Sequence, residues 1–343
     1  MKTFRKVMSL VCIILLMASC KEQTVPLKVM TLNSWFQCTT LTNGREALVK
    51  TFTELSPDVI FLCELRDSVF VENLKASLKE NGLTYYGQFV NVDEAILSKY
   101  PLKETKNQFT KEQFGAKATI EVAGQEIVLY SLHLDWRSYE CYMPRGFSGV
   151  TNTRLEAPVT DVDSILTANR LSYRDEEISF LVKDAQKELE QGRLVILGGD
   201  FNEPSHLDWQ EDTKNLRDHH GVVINWDCSY MLQNAGYKDA YREKYPNPVT
   251  HPAFTYGAGN KDADVKDLIC TEGVDDRDRI DFIYYQPNER ITLKDIKLVG
   301  PVEDFYKGKV MLVEKTQDPI LTLEGMWPSD HKSNLAVFEI TQR

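Results

Sequence analysis

Basic side chains are scarce in this chain. Forty Lys and Arg stand against 51 Asp and Glu, a formal net charge of −11 at pH 7. An acidic surface repels polyphosphate backbones at long range, because duplex affinity rests largely on cationic contacts. That balance counts against a processive or high-affinity nucleic-acid binder. The seven cysteines include no CxxC pair and no spacing suited to a zinc site. There is no internal repeat, no low-complexity tract and no linker longer than residues 21–26, so an array of modules is excluded. The apolar run Val7 to Met17 is too short to span a bilayer stably.

What is present begins at the amino terminus. Lys2, Arg5 and Lys6 precede that apolar run, and Ala18-Ser19-Cys20 closes it, the pattern of a secretory signal. The cysteine behind small residues resembles a bacterial lipobox, with Met17 where leucine is usual. The resemblance implies cleavage before Cys20, lipidation of its thiol and a place in the cell envelope, on the outer membrane, with the anchor as the sole membrane contact. Lys21-Glu22 adds a weaker likeness to surface-export signals. Residues 1–19 carry three basic and no acidic side chains, so their removal takes the charge from −11 to −14. The organisation expected is a signal peptide (1–19), a short tether (20–26) and one domain (27–343). Beyond Cys12 and Cys20 an odd set remains, Cys38, Cys63, Cys141, Cys228 and Cys270. Export permits a disulfide, but the pairing is not legible. Cys63, in an apolar run, reads as core.

The most informative stretch is Leu194 to Pro204, LVILGGDFNEP. Four apolar residues read as a buried strand, and two glycines allow a tight turn. An extended backbone would then aim Asp200 and Asn202 at one side, a carboxylate and a carboxamide suited to a hard cation or a phosphoryl oxygen. The plainer reading is a Gly-Asp turn closed by Asn and Pro. Similar apolar runs precede Asn33, Glu64, His133 and Asp281, and polar residues at the carboxyl ends of strands collect where open α/β sheets bind ligands. Each has an ordinary alternative: Glu64 pairing with Arg66, His133 between leucines as a satisfied core histidine. Ser329-Asp330-His331 precedes the last strand and offers a metal ligand beside a base or phosphate contact, with Asp281 to orient the imidazole.

Thr31-Leu32-Asn33, Cys63-Glu64, Ala95-Ile96-Leu97-Ser98, Ser131-Leu132-His133, Gly198-Gly199-Asp200-Phe201-Asn202, Asp278-Arg279-Ile280-Asp281-Phe282 and Ser329-Asp330-His331 together resemble the endonuclease/exonuclease/phosphatase superfamily. The match runs in order over residues 27–341. It implies a four-layer α/β sandwich, two mixed β-sheets packed face to face with helices outside, and a Mg²⁺- or Mn²⁺-dependent hydrolase of phosphate esters. By resemblance, Asn33, Glu64 and Asp330 form the metal set. Asp200 and Asn202 position water and phosphoryl oxygens, Asp281 holds His331, and His133 serves the leaving side.

Specificity is expected from loops. Residues 134–172 carry Trp136, Arg137, Tyr139, Tyr142, Arg145, Phe147, Arg154 and Arg170, suited to stacking and phosphate contact, unless the loop is simply packed. In the stretch 205–235, His219 and His220 read as surface residues and not as ligands. Charge and anchor favour small or lipid-derived phosphate esters, taken by a monomer. The alternatives are a deoxyribonuclease I-like endonuclease on extracellular DNA or RNA, and a non-catalytic binding module.

Overall fold

The computed structural model describes residues 23–90, 93–103, 115–268 and 273–343. Signal peptide, Cys20 and Cys270 lie outside these. Two mixed sheets form the centre. The first is built from β1 (Thr24–Asn33), β2 (Val59–Cys63), β3 (Tyr86–Val90), β4 (Glu94–Ser98), β10 (Ile291–Val299), β13 (Ile320–Leu321) and β14 (Ser333–Thr341), in the order β13-β10-β14-β1-β2-β4-β3. The second holds β5 (Ala116–Val122), β6 (Gln125–His133), β7 (Leu194–Asp200), β8 (Lys238–Asp239) and β9 (Asp281–Tyr285), in the order β5-β6-β7-β9-β8. A hairpin, β11 (Asp304–Tyr306) with β12 (Lys309–Met311), stands apart.

Strand alternation divides the apolar residues among layers. Leu27, Val29, Phe61 and Ile96 meet Ile127, Leu129, Leu194 and Ile196 between the sheets. The opposite face of the first sheet, with Leu32, Ile60 and Leu62, takes Leu48 and Phe52 of α1 (Gly44–Leu55) and Phe70, Leu74 and Leu78 of α2 (Ser68–Glu80). Asp67 caps α2 by accepting the Phe70 N–H at 2.8 Å. Beyond α3 (Val162–Asn169), the long helix α4 (Arg174–Glu190) buries Ile178, Leu181 and Ala185 against the outer face of the second sheet. Helix, sheet, sheet, helix is the four-layer sandwich expected.

The two glycines of β7 do not turn the chain; the strand runs on through them to Asp200. They let neighbouring strands approach. A Cβ on Gly199 (φ +137°) would lie 1.9 Å from the Leu132 carbonyl oxygen, and one on Gly198 2.5 Å from that of Phe282.

The segment 134–172 is mostly packed rather than free. Cys141, Tyr142, Phe147 and Ile165 join Trp209, Val222, Ile224 and Trp226 in a satellite core. Arg145 is buried and paired bidentately with Asp278, at 2.6 and 2.8 Å. Arg170 is held by Asp227 and Arg137 by Asp135. His219 is not a surface residue: it stacks on Trp209 with ring centroids 3.5 Å apart, whereas His220 is exposed. Cys38, Cys63, Cys141 and Cys228 are buried free thiols. No helix among the described residues is long and apolar enough to cross a membrane.

Candidate active site

Strand register assembles the site. In the first sheet Asn33 at the end of β1 pairs with Cys63 at the end of parallel β2, so Glu64 follows directly beside it. In the second sheet His133 pairs with Asp200 across parallel β6 and β7, and Asp200 pairs with Asp281 across antiparallel β7 and β9. Asp281 therefore opens its strand, contrary to the sequence expectation that it closes one. Antiparallel direction brings a strand's first residue to the edge where its neighbours end. Asp330-His331, just before antiparallel β14, reaches the same edge, where Ser329 Oγ donates to the Asn33 carbonyl at 2.8 Å.

The side chains interlock. Asn33 Nδ2 donates to Glu64 Oε1 at 2.9 Å and to Asp200 Oδ2 at 3.0 Å, tying the two sheets, while its Oδ1 accepts the Trp35 N–H at 2.9 Å. Glu64 Oε2 accepts the Phe36 N–H at 2.9 Å. His331 Nδ1 donates to Asp281 Oδ2 at 2.8 Å, and Thr255 Oγ1 accepts the Ile280 and Asp281 N–H groups. The Nε2 atoms of His133 and His331 each lie 3.9 Å from Asp200 Oδ2. That is too long for a direct hydrogen bond and leaves room for one oxygen to touch both ends. Asn202 departs from the extended geometry read from sequence. It is left-handed (φ +47°), its N–H donates to Asp200 Oδ1 at 2.8 Å, and its Nδ2 donates to the Leu134 carbonyl at 3.0 Å.

One member was missed. Asp93 accepts from His133 Nδ1 through a short hydrogen bond. Its sequence signal was an acidic residue just ahead of buried β4, which runs antiparallel to β2 and so opens at the site edge. The second unforeseen feature is strain. Trp35, Phe36, Gln37 and Cys38 have φ between +45° and +61°, a left-handed turn of four non-glycine residues, and Glu64 beside it has φ +60°. Such residues cost of order 1–2 kcal/mol each. Hydrogen bonds from Gln37 N–H to the Glu64 carbonyl (3.1 Å) and from Cys38 N–H to the Ser34 carbonyl (2.6 Å) hold the turn.

Electrostatics follow from burial. Burial pulls the His133 imidazole down, but the Asp93, Asp200 and Glu64 carboxylates outweigh it and raise its pKa to about 10. His331 is likewise raised against the pull of burial, chiefly by Asp281. Burial pushes Asp330 up to about 7, with Glu64 and Asp200 adding to the rise and His331 opposing it. Hard oxygen donors crowded at mutual cost, with Glu64 and Asp200 raising the pKa of Asp330, suit a divalent cation. Asp200, Asp281 and His331 are a group of described residues whose ligand atoms lie within 4.8 Å of one another. Asn33 sits differently from a ligand, with its amide bridging two carboxylates and its oxygen taken by a backbone N–H.

The family model described as Endonuclease/Exonuclease/phosphatase family matches residues 30–331. The chain belongs to this family. An uncharacterized protein of Caenorhabditis elegans, F14F9.5, is 29% identical over 308 residues, covering 89% of this chain and 88% of its own. Among solved structures, TDP2 from C. elegans superposes with TM-score 0.52 at 18% identity over 94% of this chain and 78% of its own. The human Nocturnin catalytic domain with bound sulfate gives 0.51 at 15% identity over 94% and 98%, and an AP endonuclease from Archaeoglobus fulgidus 0.50 at 18% over 91% and 99%. These likenesses share the fold. Membership of the endonuclease/exonuclease/phosphatase family supports a hydrolase of phosphate esters, and enzymes of the family use divalent metals.

Proposed function

We propose that this chain is a Mg²⁺- or Mn²⁺-dependent hydrolase of small phosphate esters, held at the outer membrane through Cys20 and acting as a monomer. The observation that carries the reading is the row His133–Asp200–Asp281 facing Asn33 and Glu64 across one edge of the sandwich. Glu64 and Asp330 would hold the cation, which when bound neutralises phosphoryl charge and favours ionisation of the attacking water. Asp200 would orient that water and accept its proton, which its hydrogen bonds from the Asn202 N–H to Oδ1 and from Asn33 to Oδ2 support. An oxygen in either 3.9 Å gap would meet Asp200 and one imidazole. His331, held by Asp281, stabilises charge building on phosphorus, and His133, protonated at neutral pH, donates to the leaving oxygen.

The acidic balance of the chain supports small esters over nucleic acid. The endonuclease reading remains the second choice, because an imidazole at His133 serves a diester's leaving oxygen equally well. A binding module has less support, since every motif residue is present. The test is hydrolysis of bis(p-nitrophenyl) phosphate, p-nitrophenyl phosphate and plasmid DNA with Mg²⁺, beside Glu64→Ala. Turnover of the small esters, lowered roughly 10²–10⁴-fold in Glu64→Ala, is expected. Plasmid nicking that vanishes in the variant would replace the proposal with a nuclease.

A further inference from the structure

The left-handed turn separates two adjacent aromatics. Trp35 goes inward, 4% exposed, and packs with Leu41, Leu268 and Phe305. Phe36 is left 44% exposed while its own N–H is fixed on Glu64 Oε2. Its backbone is therefore held at the rim of the carboxylate cluster. Arg66, two residues past Glu64, lies over the ring with its guanidinium carbon 4.7 Å from the centroid. Among the described residues no carboxylate pairs with Arg66. Strain stored beside reacting groups is a reason to look for a role, and here its product is an exposed ring with a guanidinium over one face.

We infer that Phe36 and Arg66 form a specificity site for the organic part of the substrate, and that this part is a planar heteroaromatic group, as in a nucleotide. The inference rests on the proposed phosphate-ester reading and narrows it, setting nucleotides ahead of lipid-derived esters. A planar group would stack on the Phe36 ring while its phosphate meets the cation that Glu64 would hold, and the Arg66 charge complements the phosphate from the rim. An aliphatic alcohol offers no face to the ring. Trp136 is the competing platform: it is 69% exposed and three residues beyond His133, but its neighbour Arg137 is committed to Asp135.

Affinities of adenosine 5′-monophosphate and glycerol 3-phosphate, measured by calorimetry with Mg²⁺ in the full chain silenced by Asp200→Asn, test this. Both probes bring the same phosphate, and only one brings a plane. The nucleotide is expected to bind about tenfold tighter or more. Phe36→Leu should remove most of that preference with little change for glycerol 3-phosphate, and Phe36→Tyr should restore it. Equal affinities, a preference that survives Phe36→Leu, or one lost instead in Trp136→Leu would overturn the inference. Should Phe36→Leu fail to fold, Phe36→Gln and Trp136→Leu still decide it: a preference lost in the first and kept in the second supports the Phe36 site, and the reverse sinks it. Absence of Mg²⁺-dependent hydrolysis by the unsilenced chain, with the Phe36-dependent preference intact, would support the stacking site and remove the hydrolase reading.

Discussion

His133 lies between two leucines, and on sequence alone that setting favours a core histidine. Alternation explains the outcome. Leu132 and Leu134 pack outward under α4, while His133 faces the space between the sheets, where Asp93 and Asp200 converge on it. Asp93 stands just ahead of β4 instead of closing a strand, and it reaches the edge because β4 runs antiparallel to β2. Its role is measurable through linkage. The folded pKa of His133, about 10, exceeds its ordinary 6.5. The stabilisation is therefore full below pH 6.5 and disappears as pH rises through 10. Asp93→Asn, studied with a chelator present, should lower stability by about 2 kcal/mol at pH 6 and converge with the parent near pH 10. Urea midpoints across that range are the measurement, and a difference that does not depend on pH would refute the pairing as the cause.

Helix α4 joins its sheet by more than its apolar stripe. Lys117 on β5 is buried and donates to Asp184 Oδ2 and Glu188 Oε1 of that helix, both at 2.6 Å, and Tyr130 Oη donates to Asp184 at 2.8 Å. Lys117→Met would leave Asp184 buried without its cation, whereas Glu188 would retain Arg193 at 2.7 Å. Breaking such a pair costs about 3–5 kcal/mol. Denaturant unfolding of the variant should show a loss of that order, and a loss under 1 kcal/mol would mean that apolar burial alone docks the helix. The apolar run before His133 made β6 legible in the sequence, but the partner of Lys117 was not legible. Asp184 and Glu188 are 67 and 71 residues away, and nothing local marks them. The insertion 134–172 teaches the same lesson from the other side. Its arginines and aromatics suggested a binding loop, yet Arg145 and Tyr142 are consumed by packing and ion pairing.

Charge belongs to the molecule as a whole. A net −11 works against long-range attraction of a polyanion, which gives weight to the local cation set and whatever metal the site holds. The salt response separates the readings. Hydrolysis of bis(p-nitrophenyl) phosphate should change less than about threefold between 50 and 200 mM salt, since a single phosphate is engaged. A nuclease gripping six or more phosphates would lose roughly 10³-fold in DNA affinity over the same range. A steep dependence on the small ester would contradict the single-phosphate site.

Seven short motifs in order carried the resemblance that gave the family and the layered α/β class, and the polar residues beside apolar runs named most of the groups that meet at one edge. Those features are local, because a buried strand must be apolar and a site residue must sit where the strand stops. Tertiary structure decided how the groups meet. Strand direction brought Asp93 and Asp281 to the edge by their amino-terminal ends, Asn202 left the extended path, and Asn33 became a bridge between carboxylates. The left-handed turn at Trp35–Cys38 likewise depends on hydrogen bonds to Glu64, a residue distant in sequence. Intrinsic preference opposes that conformation, so only long-range contacts could select it.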